Sequence, residues 1–194
     1  MFDADKEIFK TSPFIIDQFI REKNNYKYLQ EVKLNEKDIE VKGFSVIPGL
    51  SIDDFSKRQY SFYLTNSNSR KRIPLEHEDV ETGGMSKFNL PFGKREFSYK
   101  CASYRLNIPY SLLANDPDFY GENRIMVSFT QEGINHNFFS GSARKTLRDV
   151  SDQHAMIYDN AYFRIAYTLK DELIIEVSPI ENMYGEISIE DGSL

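Results

Sequence analysis

The chain has 194 residues, 40% hydrophobic and 14% aromatic, which is enough apolar side chain for a real core in one large or two small domains. A net charge of −6 argues against general nucleic-acid binding, which rests on a basic face, and the early apolar run Phe14-Ile15-Ile16 is far short of a membrane span. The acidic start Met1-Phe2-Asp3-Ala4-Asp5 lacks the basic segment of a signal peptide, and the single cysteine, Cys101, excludes an intrachain disulfide and a cysteine metal cluster, so the chain is read as cytoplasmic.

Ser12-Pro13 makes a helix start, and Phe14, Ile15, Phe19 and Ile20 give an apolar stripe of roughly three turns before Asn24-Asn25. From Tyr26 the apolar period becomes two. Tyr28 to Leu34 predicts a strand, Asn35 to Asp38 a turn, and Ile39 to Ile47 a second strand in which Gly43 marks a bulge or a close approach. Pro48-Gly49 ends it. Tyr60 to Thr65 predicts a strand, Asn66-Ser67-Asn68-Ser69 a turn, and Arg70 to Leu75 its hairpin partner, with Pro74 suited to an edge or strand end.

Glu76 to Lys94 reads as a solvated loop around the acidic run Glu76, Glu78, Asp79 and Glu81, which encloses His77 without the spacing of a metal loop. Strand character resumes from Arg95 to Ile108 and stops at Pro109. Tyr110 to Leu113 reads as one helical turn and Asn115 to Asp118 as a loop. Asn123 to Thr130 alternates with Ile125, Val127 and Phe129 inward, Gln131-Glu132-Gly133 turns the chain, and Ile134 to Phe139 pairs back. Gly141 to Asp159 reads as irregular. The clearest hairpin is Tyr162 to Pro179, with Phe163, Ile165 and Tyr167, then Leu173, Ile175 and Val177, on one face around a turn at Lys170-Asp171-Glu172; a last strand is expected over Met183 to Ile189. Many short strands at even spacing with one helix predict an all-β antiparallel sandwich.

Catalytic signatures do not assemble. His77, His136 and His154 fall in predicted loops or at strand ends without a Gly-x-Ser-x-Gly elbow, and Asp3-Ala4-Asp5 and Asp116-Pro117-Asp118 match an Asp-x-Asp spacing only formally. Neither a Rossmann-type nor a P-loop glycine motif is present, and no cofactor or metal is called for. Two basic groups, Arg70-Lys71-Arg72 and Arg144, Lys145 and Arg148, read either as solvated edge charges or as phosphate contacts. Tyr60, Tyr63, Tyr99, Tyr110, Tyr120 and Tyr158 are candidates for outward faces where a sugar ring stacks.

The segments IEVKGFSVIPGLSIDDFSKRQYSFYLTNSNSRKRIPLE (Ile39 to Glu76), YRLNIPYSLL (Tyr104 to Leu113), ENRIMVSFTQEG (Glu122 to Gly133) and YFRIAYTLKDELIIEV (Tyr162 to Val177) together resemble a known family. They are similar in order to the immunoglobulin-like β-sandwich modules attached to wall-teichoic-acid glycosyltransferases and to related CDP-glycerol glycerophosphotransferases and capsule-polymer enzymes. The resemblance implies an immunoglobulin-like β-sandwich over residues 39–180, preceded by a helix and lead-in strand over 1–38 and followed by a trailing strand over 181–194. It implies a non-catalytic accessory module that oligomerises a transferase or positions its acceptor polymer. The partners it implies are a transferase catalytic domain or further copies of the chain, together with an anionic cell-wall polymer, in the cytoplasm or at the inner face of the cell membrane. For such a polymer the expected contacts are Arg70, Arg72, Arg144, Lys145, Tyr63 and Tyr110. The alternatives are a free-standing adaptor or inhibitor that binds another protein through a sheet edge, and a small sugar-active enzyme.

Overall fold

Period-two alternation places one set of side chains inside and the other outside, and the strands resolve it into two antiparallel sheets packed face to face. The computed structural model describes residues 27–47, 50–82, 87–89, 96–141 and 155–182. The expected N-terminal helix and final strand lie outside them.

The first sheet has four strands. β1 (Lys27–Leu34) pairs with β2 (Asp38–Ser45), β2 with β8 (Ser103–Pro109), and β8 with β5 (His77–Val80). The second sheet runs in the order β11 (Ala155–Tyr158), β12 (Ala161–Tyr167), β13 (Leu173–Pro179), β9 (Gly121–Gln131), β3 (Arg58–Asn66), β4 (Arg72–Leu75). β10 (Ile134–Phe139) also joins β9, so the same edge of that long strand meets β13 at Gly121 to Asn123 and β10 at Met126 to Gln131. A small hairpin joins β6 (Lys87–Asn89) to β7 (Glu96–Ser98), and the one α-helix among the described residues, α1 (Tyr110–Ala114), follows β8. None of the described helices is long and apolar enough to cross a membrane.

The all-β antiparallel sandwich expected from the sequence is therefore the fold, and β4 with Pro74 is an edge strand as expected. Two loop assignments are corrected. Within Glu76 to Lys94, His77 to Val80 is strand β5, whose charged sequence is that of a solvent-exposed edge held by β8, and Lys87 to Asn89 is strand β6; Ala155 to Tyr158 is edge strand β11. Gly43 is the close approach: a Cβ there would lie 2.6 Å from Tyr104 Oη and 2.9 Å from the Tyr28 carbonyl, while the irregularity falls on the facing strand between Leu29 and Glu31.

The sheets are joined by polar side chains as well as apolar ones. Arg58 of β3 has a side chain only 1% exposed and reaches across to the first sheet. Its Nε donates to the Cys101 carbonyl at 2.6 Å, Nη2 to the Ser103 carbonyl at 2.9 Å and Nη1 to Asp79 at 2.8 Å, with Tyr60 4.4 Å beneath the guanidinium. Tyr60 repeats the bridge, donating from Oη toward the carbonyls of Ser45 and Ala102 and accepting from the Ser45 N–H. Around it Phe62, Phe129 and Tyr104 pack with ring centroids 4.6 to 5.3 Å apart. At the other end buried Asn123 ties β9 to the Phe119 and Ile175 carbonyls and accepts from Asn66.

Removing Arg58 leaves two inner carbonyls and Asp79 without their donor. Arg58→Met is expected to cost about 3–5 kcal/mol in urea unfolding, and Arg58→Lys to recover little, because an ammonium cannot present the planar fork. Gly43→Val is expected to cost about 1–3 kcal/mol by overpacking against Tyr104, read in the same measurement.

Candidate binding face

The two outer faces of the sandwich differ in charge chemistry. On the four-stranded sheet Lys33 and Lys42 both bind Glu31, at 2.5 and 2.8 Å, Lys42 also meets Glu40 at 3.1 Å, and Arg105 lies 3.4 Å from Glu40 and 2.8 Å from Glu78. Three cations and three carboxylates alternate and cancel. Hydrogen bonds from Lys33 and Lys42 hold the Glu31 carboxyl below its ordinary range. Lys33, Lys42 and Arg105 are thus each engaged by a carboxylate.

On the seven-stranded sheet the outward positions of β3, β9, β4 and β10 fall into register. Pro74 stands opposite Tyr63, Tyr63 opposite Met126, and Met126 opposite Phe139, forming an apolar row across four strands. On one side lies the row Arg72, Thr65, Arg124. On the other lie Ser61, Ser128 and Asn137, then Gln59, Thr130 and Asn135, all neutral hydrogen-bonding groups. The Arg72 guanidinium sits 3.6 Å from the Tyr63 ring centroid, a cation–π stack, and has no ion-pair partner among the described residues.

At its far end the apolar row runs into a cleft of about 460 Å3 lined by Lys27, Met126, Asn137, Phe139, Lys170 and Glu172. Lys27 donates to the Phe139 carbonyl at 2.9 Å, and burial pushes its pKa below the ordinary lysine value, opposed by the nearby Glu172 carboxylate. Arg124 lies 5.6 Å from the Phe139 centroid and 3.6 Å from Glu172. The turn carrying Lys170 and Glu172 is fixed locally: Thr168 Oγ1 accepts from both of their backbone N–H groups, and Asp171 adopts φ 59°.

Of the residues expected to contact a polymer, the structure brings Tyr63 and Arg72 together and puts Arg70 exposed in the adjoining turn at φ 60°. Lys71 of that turn is engaged by Asp116 and Asp118. Tyr110 is drawn inward instead: it is 0% exposed, packs 4.6 Å from Phe163, and burial pushes its phenol up to about 12, so it offers nothing to a surface ligand. Tyr60 and Tyr99, also candidates for outward faces, are buried too. Arg144 and Lys145 lie outside the described residues.

Sequence reasoning passed over Arg124, Met126, Phe139, Lys27 and Lys170. The alternation of Asn123 to Thr130, which assigns Ile125, Val127 and Phe129 inward, already holds Arg124 and Met126 as its outward complement.

Groups for covalent chemistry are not gathered here. His77 lies 3.4 Å from Asp79 and 5.0 Å from the Phe62 ring, its pKa lowered mainly by burial. Cys101 is buried with its thiol pKa raised by desolvation. Among the described residues no three potential metal ligands cluster. What the face offers is charge, an apolar platform and neutral hydrogen-bonding groups.

No family model and no curated protein matches the chain. In structure it is similar to two crystal structures of S. aureus TarS. One comprises residues 217–571, with a TM-score of 0.48 and 10% identity over 79% of this chain and 38% of that one. The other has a TM-score of 0.45 and 9% identity over 79% of this chain and 24% of that one. The chain thus spans well under half the length of either.

The Glu31 interactions set a pH dependence. Its folded pKa is depressed, so its contribution to stability is complete well above the ordinary carboxylate value of 4.5, and it is lost below that value as pH falls through the lower folded pKa. The melting temperature is expected to fall on acidification through this range, and to fall less in Glu31→Gln, in thermal unfolding followed by circular dichroism.

Proposed function

We propose that this chain is a non-catalytic β-sandwich module that positions an anionic cell-envelope polymer, a teichoic acid or capsule chain, for an associated glycosyltransferase at the inner face of the membrane. The observation that carries the reading is Arg72, without an ion-pair partner among the described residues and held 3.6 Å over Tyr63 on a face lined by hydroxyls and amides. A polyol or sugar phosphate needs those three things side by side. Its anionic group takes a guanidinium fork, its C–H surface takes an aromatic or apolar platform, and its hydroxyls take neutral donors and acceptors.

The sequence resemblance over Ile39 to Val177 supplies the context of envelope-polymer transferases, and with it oligomerisation as a companion role. The chain's net charge of −6 suits a selective site, since polyanions are repelled everywhere except where cations are concentrated. At β4 a sheet-edge adaptor is favoured less, because that edge strand is short and carries Pro74, which cannot donate to an added strand.

In equilibrium titration with purified wall teichoic acid, Arg72→Ala and Tyr63→Ala are each expected to weaken binding by about tenfold, and added salt to weaken the wild type. Wild-type affinity in both variants would remove the reading.

A further inference from the structure

The polar and apolar rows define a direction as well as a location. We infer that the face holds its polymer across the strands at two anion-binding stations, one at Arg72 and one in the cleft of Lys27 and Lys170, with the chain lying on the row Pro74, Tyr63, Met126 and Phe139 between them. This rests on the polymer-positioning reading above and assigns the ligand's course and spacing.

Met126 is the joint. It is the cross-strand partner of both Tyr63 and Phe139 and lines the cleft, so the Tyr63 platform and the cleft form one surface. From β4 to β10 are three strand steps, so at the usual spacing of neighbouring strands Pro74 and Phe139, the ends of the apolar row, stand roughly 14 Å apart. Lys27 and Lys170 have no ion-pair partner among the described residues, whereas Arg124, midway along the guanidinium side, is shared by Glu122 at 3.3 Å and Glu172 at 3.6 Å. The cations without an ion pair therefore lie at the two ends of the row, Arg72 at one and Lys27 and Lys170, with Glu172 beside them, at the other. The flanks are unlike as well: guanidinium groups on one side and Ser61, Ser128 and Asn137 on the other. A chain whose phosphates and hydroxyls point to opposite sides fits in one facing.

Such a ligand gains by linkage. A single phosphate engages one station, while an oligomer long enough to span both turns the second contact into an intramolecular one.

The test is titration of the full chain with glycerol phosphate and with oligo(glycerol phosphate)s of increasing defined length. Lys27→Gln/Lys170→Ala, in which Gln retains a donor for the Phe139 carbonyl, and the exposed-turn variant Lys170→Glu are compared with Arg72→Ala, each checked by thermal melting. Wild type is expected to bind long oligomers about a hundredfold more tightly than the monomer. Loss of either station is expected to abolish most of that gain while leaving monomer binding at the other. If the lysine variants keep the full length dependence, the two-station arrangement is overturned and the broader reading stands. If wild type binds no oligomer, both fall. Equal affinity for a single-stranded oligonucleotide of the same charge would also overturn the inference, because it would show that charge alone is read.

Discussion

One buried guanidinium fixes how the two sheets meet. Arg58 belongs to β3 of the seven-stranded sheet, yet its three donors are used by Cys101, Ser103 and Asp79 of the facing layer. An ion pair in such a place adds little net stability, because removing the charge from water costs nearly what the pairing returns. Its effect is on geometry. A planar fork satisfied in three directions has one low-energy position, and any slip of β3 along β8 leaves a charge and two carbonyls unpaired inside the protein.

Tyr60 applies the same constraint two residues on, and the ring cluster of Tyr60, Phe62, Phe129 and Tyr104 fills the space between. Once Arg58, Tyr60, Phe62 and Leu64 are committed inward, the pleat leaves Gln59, Ser61, Tyr63 and Thr65 no choice but the outer face. The candidate face is thus the complement of the core: the registers of β3 with β9 and of β9 with β10, set from inside, align its rows outside.

The two outer faces carry their charges in different ways. On the four-stranded sheet Glu31, Glu40 and Glu78 each have a cation, and the ladder serves solubility and modest stability. At the face of the seven-stranded sheet Arg72 is held by an aromatic ring, while Lys27, from the start of β1 in the other sheet, is held by the Phe139 carbonyl with the Glu172 carboxylate nearby, so neither is tied into an ion pair among the described residues. Positioned but uncompensated cations raise the field at a surface and cost stability unless a counter-charge arrives. In a chain with 30 acidic residues, that arrangement is the clearest physical mark of the candidate face.

The sequence by itself determined the strands whose signals are local: β1, β2, β3, β9, β10 and the β12–β13 hairpin show alternation bounded by turn residues, and Pro74 announces an edge. Within the candidate site it gave Tyr63, Arg70 and Arg72, since a turn and its return strand are read from neighbouring residues. It misread β5 and β11, because an edge strand with polar side chains has the composition of a loop. The tertiary structure alone decided the inward fate of Tyr60 and Tyr110, and, for Tyr60, a hydroxyl can be buried once backbone carbonyls receive it. It alone joined Met126 to Tyr63, and Lys27 to Phe139 at a separation of 112 residues. Those neighbours are set by strand register and sheet packing, interactions between distant segments that no local pattern encodes.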